Sequence, residues 1–244
     1  VKLAGTAQRA AMSALERCLP RGEIENALIV ANPSASARPL DVTLPDGRTV
    51  ATAESVPALG VIVCDLDAAT PAGGLTVTAN RLENAHLKAV IGADGTITSL
   101  VHRKTGREAL EGRGNQLWVY PADKPRDWDA WDIDEDYAKS GEELTDVRSI
   151  DIAEATAHRG AIRVVKTWRN STITQSYVLK ANSHRLDIET RIDWHDRRAL
   201  LRTLTPVAAR AREATFECAF GVVKRATHVN TSWEAAQFEV PGHR

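Results

Sequence analysis

Apolar residues recur along this chain with two different periods. Between residues 3 and 19, LAGTAQRAAMSALERCL places Leu3, Ala7, Ala11, Leu15 and Cys18 at steps of three and four, one face of a helix. Pro20, Arg21 and Gly22 end it. Beyond that point the period shortens to two. Runs at 26–31, 39–44, 49–54, 59–65, 74–79, 86–91 and 96–102 alternate apolar with polar residues. They are broken by Pro45-Asp46-Gly47, Pro71-Ala72-Gly73-Gly74 and Ala93-Asp94-Gly95. Residues 161–168 and 172–179 flank Arg169-Asn170-Ser171 as a hairpin, and 185–194 follows Lys180-Ala181-Asn182-Ser183 with Leu186, Ile188, Ile192 and Trp194 on one side. Strands with one apolar side need a partner layer, so the pattern predicts a mostly β fold, an antiparallel β-sandwich behind one N-terminal helix.

Segment size and turn spacing put a boundary near residue 80, which divides the prediction into a helix over 1–20, a small β-module over 21–80 and a larger sandwich over 81–244 of about eight to ten strands. No repeat of 20–50 residues and no low-complexity tract interrupts it. The chain opens at Val1 and stops at FEVPGHR, which predicts a piece of a longer protein whose sandwich is incomplete at its C-terminus. An unpaired sheet edge after Arg244 is where a homo-oligomer would form.

Charge narrows the functional classes. With 31 Lys and Arg against 32 Asp and Glu, the net charge is -1, which supplies no field for nucleic acid or an anionic membrane. The apolar runs ALIVA and LGVIVC fall far short of the roughly 20 residues that cross a bilayer. Cys18, Cys64 and Cys218 are too far apart in sequence for a Cys-x-x-Cys pair and read as free thiols. The seven histidines are scattered, without His-x-His or His-Glu-x-x-His, so no metal site is predicted within the chain. There is no nucleophile elbow and no glycine-rich phosphate loop.

The chemistry concentrates in PADKPRDWDAWDIDEDY, residues 121–137, which holds seven carboxylates and two of the six tryptophans. Asp127, Asp129, Asp132, Asp134, Glu135 and Asp136 could furnish the paired carboxylates of glycoside hydrolysis, although sequence spacing does not fix their separation. Calcium ligation is a second reading, without the EF-hand spacing. Trp128 and Trp131 could present a face for a sugar while Asp127, Asp129 and Asp132 accept its hydroxyls. Equally, both rings could plug the edge of the sandwich.

Several stretches together resemble the glycoside hydrolase family 38 α-mannosidases, in the region that follows their catalytic barrel. LENAHLKAVIGADGTITSLVHRKTGREAL, 82–110, is similar to the first strands of the family's large sandwich, and NQLWVYPADKPRDWDAWDID, 115–134, carries the segment D-x-P-x-x-W-D-A-W-D. FEVPGHR, 238–244, is similar to the start of a later motif, and residues 1–19 to the last helix of a three-helix bundle. The resemblance implies a galactose-mutarotase-like super-sandwich. It also implies a cytoplasmic parent enzyme that is a retaining, zinc-dependent α-mannosidase acting on mannose-containing oligosaccharides. The family's nucleophile and zinc ligands lie upstream of Val1, so the resemblance implies a chain that is inactive alone and binds no zinc itself. In such a parent the acidic, aromatic loop from Arg126 to Asp134, too elaborate for a simple hairpin, is expected to line the outer mannose pocket, with Asp127, Trp128, Asp129, Trp131 and Asp132 as the substrate-binding candidates; a plug that docks the preceding barrel is the rival reading. A free-standing carbohydrate-binding sandwich is the alternative, and a purely structural interaction module a third.

Overall fold

The computed structural model describes residues 2–18, 26–44, 49–66, 74–121, 123–128, 133–134 and 136–236. Helix α1, Lys2–Cys18, keeps Leu15 half-buried and Met12 43% exposed. Four strands follow: β1, Ala27–Ala31; β2, Arg38–Thr43; β3, Thr49–Val56; β4, Val61–Asp65. β1 pairs with β4 and β2 with β3, both antiparallel. These two ribbons close over Leu40, Val50 and Val56, with Leu28, Val30 and Ile62 packed around them. Burying such side chains stabilises the unit by about 1.5–3 kcal/mol each. Among the described residues of this unit Asn32 is the buried polar one, and all of its capacity is used. Its Nδ2 donates to the carbonyls of Ser36 (2.8 Å), Val56 (3.2 Å) and Pro57 (2.9 Å), while Oδ1 accepts from the Ser34 amide and hydroxyl.

The next five strands form an antiparallel meander: β5, Thr76–Val77; β6, Arg81–Glu83; β7, Leu87–Ile91; β8, Ile97–His102; β9, Arg107–Glu108. β10, Gln116–Tyr120, and β11, Glu142–Glu143, come next, and a 3-10 turn at Tyr137–Ser140 lies between them. A second meander is built from β12, Val147–Ala155; β13, Arg159–Trp168; β14, Ser171–Lys180; and β15, Leu186–Asp193. β16, Leu200–Leu204, then returns to pair with β10 and completes a three-stranded sheet in the order β11-β10-β16. A hairpin of β17, Glu213–Cys218, and β18, Gly221–Ala226, precedes the short helix α2, Ser232–Ala236.

The four-stranded meander is one layer; the five-stranded and three-stranded sheets share the other. At one end Leu82, Leu87, Ile91 and Ile97 pack on Ile162, Val164, Tyr177 and Leu179. At the opposite end Leu117, Val119 and Leu144 meet Trp168 and Ile173. The predicted hairpin over 161–179 forms in full, with Trp168 opposite Ser171 and Arg159 opposite Lys180. Polar residues cross-link the layers between the two apolar ends. Asn115, at φ 55°, donates to Tyr177 Oη (2.6 Å) and Gln175 Oε1 (3.0 Å) and accepts from Thr203 Oγ1 (3.0 Å), while the Tyr177 hydroxyl donates to the Gly95 carbonyl (2.6 Å). This arrangement is the mostly β, antiparallel sandwich that the alternating pattern predicts.

A candidate site at one end of the sandwich

β10 and β11 are direct neighbours, with Trp118 opposite Glu143, yet the chain between them runs from 121 to 141. Two to five residues suffice to join antiparallel neighbours, so this excursion has another purpose than connection. Its root is packed. The Tyr137 ring lies 4.8 Å from the Tyr120 ring, and the Arg202 guanidinium sits 5.3 Å from the Tyr137 centroid. Gly141 lets the returning chain pass the Tyr120 ring, where a Cβ would stand 2.5 Å from Cε1. Higher up, Arg126 Nε lies 3.6 Å from Asp134 Oδ1, and the Asp134 carbonyl accepts from the Tyr137 amide at 3.1 Å. Sequence positions 126 and 134 are thereby held together as the neck of the loop.

Just beyond the neck, Asp127 and Trp128 face solvent. Trp128 is 74% exposed and adopts φ 57°. The left-handed region costs a bulky side chain roughly 1–2 kcal/mol, and strain of this kind gathers at functional sites. Trp128 therefore does not fill the sandwich edge. Trp168 and Trp194 do that, their rings stacked at 5.5 Å. Asp127 is exposed beside Trp128. Asp129, Trp131 and Asp132 lie outside the described residues.

A second connection shares this end. Residues 194–199, Trp-His-Asp-Arg-Arg-Ala, link β15 to β16, and the Arg198 carbonyl accepts from the Asp123 amide at 3.2 Å, tying the two loops together at the base. Ser171, 1% exposed, donates to Asp196 Oδ2 at 2.6 Å and accepts from the His195 amide at 2.9 Å. The His195 ring turns away from this hydroxyl, with Nε2 at 3.1 Å from Asp193 Oδ1. Serine, histidine and aspartate thus meet without forming a nucleophilic triad, because the hydroxyl is buried and its proton goes to a carboxylate. The sequence reading treated His195 as one of seven scattered histidines and missed this loop. Its signal was the polar run after the amphipathic strand ending at Trp194.

Electrostatic clamps brace the loop's return. Arg113 bonds both oxygens of Glu143 at 2.8 Å and Asp94 Oδ2 at 2.5 Å, which holds the guanidinium above its ordinary pKa through Glu143 first and Asp94 second. Burial works to raise the Asp94 carboxyl, but hydrogen bonds from Thr96 and Arg113 outweigh it and leave the pKa lowered. Lys166, 1% exposed, donates to the Leu144 carbonyl at 2.7 Å, and burial lowers its pKa. These charges serve the frame. A separate cavity of ≈ 390 Å³ in the small N-terminal unit is lined by Val30, Asn32, Arg38, Leu40 and Val56; its Asn32 is fully engaged and Arg38 Nε bonds Ser34 Oγ.

Among the described residues no three His, Cys, Asp or Glu side chains converge as metal ligands would. Zinc sites take three or four such donors at about 2.0–2.3 Å, so these residues do not form the zinc site of the implied parent enzyme. No helix of the described residues is long and apolar enough to cross a membrane.

The model of the glycosyl hydrolases family 38 C-terminal domain matches residues 82–244, from the buried start of β6 through both loops of this site. The chain belongs to that family. It is similar to alpha-mannosidase G of Dictyostelium discoideum, 32% identical over 179 residues, and to human alpha-mannosidase 2C1, 34% identical over 167 residues. The alpha-mannosidase of Saccharomyces cerevisiae is 32% identical over 179 residues. Each match covers 67% of this chain and 16% of the relative's length, so this family 38 chain spans a small part of the curated relatives it matches. The motifs that carried the resemblance now have positions. Asn84 and Gly95 lie at the layer interface, and the D-x-P-x-x-W segment forms the outward loop.

Proposed function

We propose that this chain is the non-catalytic sandwich region of a retaining, zinc-dependent α-mannosidase that releases α-linked mannose from oligosaccharides, and that Arg126 to Asp134 form a wall of its mannose pocket. The observation that carries the reading is Trp128, held 74% exposed at a left-handed φ on a loop clasped by Arg126 and Asp134. An indole face presented this way stacks on the C–H face of a pyranose. Asp127, Asp129 and Asp132 accept hydroxyl hydrogen bonds, and Trp131 adds a second apolar surface. Retaining hydrolysis needs a nucleophile and a proton donor on opposite faces of the glycosidic bond. In this reading both belong to another part of the enzyme, as does the zinc, which holds sugar hydroxyls when bound. The relatives' names support the substrate class. Among the described residues Cys18, Cys64 and Cys218 form no disulfide, which suits a reducing, cytoplasmic location.

Two measurements test the proposal. In the full-length enzyme, Trp128→Ala and Asp129→Ala lower kcat/KM for an α-mannoside about tenfold or more, the equivalent of ~1.4 kcal/mol, with the melting temperature unchanged. A fall in melting temperature without a change in kcat/KM makes the loop a docking plug and overturns the pocket wall. The isolated chain, given an aryl α-mannoside and zinc, releases no mannose; turnover there overturns the non-catalytic assignment.

A further inference from the structure

Where β15 ends and the loop at 194–199 begins, Asp193 and His195 form an exposed pair that the fold has no evident use for. His195 and Asp193 have side chains 59% and 71% exposed, yet they are held 3.1 Å apart. Exposed ion pairs are ordinarily loose, because ordering two side chains costs as much as the contact returns. Here the backbone under them is fixed from below. The buried Ser171 hydroxyl grips the His195 amide and the Asp196 carboxylate, and Trp194 is stacked on Trp168 inside the core. The pair is a rigid polar edge facing solvent, on a loop tied at its base to the loop of Trp128 through the Asp123 amide and Arg198 carbonyl.

Its chemistry is specific. With Nε2 turned to one Asp193 oxygen, His195 Nδ1 and the second Asp193 oxygen are left without a hydrogen-bond partner among the described residues. A ring nitrogen and a carboxylate oxygen side by side match two neighbouring sugar hydroxyls, because a hydroxyl donates to the carboxylate and pairs with the ring nitrogen in either of its forms. Groups so open to water are unsuited to the dehydrated centre where a glycosidic bond breaks. They suit the rim.

We propose that His195 and Asp193 bind the pyranose unit next to the mannose being released, and so make the enzyme favour oligosaccharides over single-sugar mannosides. This rests on the α-mannosidase reading above. The reacting mannose lies against Trp128, and the adjoining unit crosses the base of the two loops onto the His195–Asp193 edge.

The test uses the full-length enzyme with two substrates, an α-linked mannotriose and p-nitrophenyl α-mannoside, and reads the ratio of their kcat/KM values. Asp193→Asn and His195→Ala each lower that ratio about five- to tenfold, the size of one hydroxyl contact to a charged or strongly accepting group, and the loss lies in KM for the trisaccharide. His195→Asn, which puts an amide near the place of Nδ1, recovers part of the ratio. Melting temperatures of all variants exclude a folding defect as the cause. A ratio unchanged in both Asp193→Asn and His195→Ala overturns the inference while leaving the α-mannosidase reading intact. Wild-type enzyme that releases no mannose from either substrate refutes that reading, and this inference with it.

Discussion

Asn84 concentrates more layer-to-layer bonding than any apolar contact near it, and replacing it by alanine measures that. The side chain is fully buried, at 0% exposure. Its Nδ2 donates to the carbonyls of Lys180 and Ser183, both at 2.8 Å, across to the turn between β14 and β15. Its Oδ1 accepts from the amides of His86 (2.8 Å) and Leu87 (2.7 Å), which shapes the turn between β6 and β7. Asn84→Ala removes a bond from two carbonyls and two amides at once, and of these the Lys180 carbonyl keeps the Ser183 amide as a donor. The Leu87 amide is the most shielded and costs about 2 kcal/mol unpaired, whereas the His86 amide and the Ser183 carbonyl are within reach of water and cost about 0.5–1 each. The sum is ~3–4 kcal/mol. At roughly 2–4 °C per kcal/mol for a domain of this size, the melting temperature falls by about 10 °C.

Thermal unfolding followed by circular dichroism gives that shift, and hydrogen exchange at the Leu87 amide locates it. Asn84→Asp sharpens the test. A carboxylate keeps both acceptor bonds but faces the Lys180 and Ser183 carbonyls with negative charge, so it destabilises at least as much as alanine. A shift below about 2 °C in the alanine variant would refute the claim that this residue ties the layers.

Further expectations come from the same interface. Gly95 sits at φ +72°, and a Cβ there would lie 2.6 Å from Val164 Cγ1, so Gly95→Ala costs about 2–4 kcal/mol, read as a shift in the urea midpoint. The Tyr177 hydroxyl is pushed up to about 12 by burial, against 10.0 when unfolded, so its contribution of ~2–3 kcal/mol is complete below pH 10 and is lost between pH 10 and about 12. Tyr177→Phe flattens that alkaline limb of the stability curve; an unaltered limb refutes the assignment. Burial lowers Lys166 from 10.5, so between its folded pKa and 10.5 the unfolded chain holds more protons and stability rises with pH. Lys166→Met removes that rise, measured as denaturant midpoints over the window.

Alternation made the sandwich legible where it was uninterrupted. In β13 and β14 the buried positions recur every second residue, and the hairpin was read from them to within a residue or two. β12 escaped because register irregularities between Val147 and Ser149, and between Ile152 and Glu154, break its period. β9 and β11 are two residues each, too short to carry any period, and exist because a neighbouring strand pairs with them. The same contrast divides the site. Seven carboxylates and two tryptophans within 121–137 announce themselves by composition. The His195 edge does not, since it depends on Ser171 meeting Asp196 from 25 positions away.

The two kinds of residue behind the family resemblance have complementary physical work. Asn84 and Gly95 face inward and fix one layer on the other through hydrogen bonds and a close approach, while Asp94 beside them pairs with Arg113 within its own layer. The tryptophan loop is braced at its base: by ring packing of Tyr120 on Tyr137, by the bond of the Asp123 amide to the Arg198 carbonyl, and at Glu143 by Arg113, which also bonds Asp94. The inward group therefore reaches the loop through Asp94, Arg113 and Glu143, one connected chain of charge-assisted bonds. A side chain in a strained conformation stays where it is placed only if its surroundings over-determine it. Trp128 is at a left-handed φ and open to solvent, so the support of its loop falls to the sandwich beneath, and a rigid, highly cross-linked pair of layers is what such a loop requires.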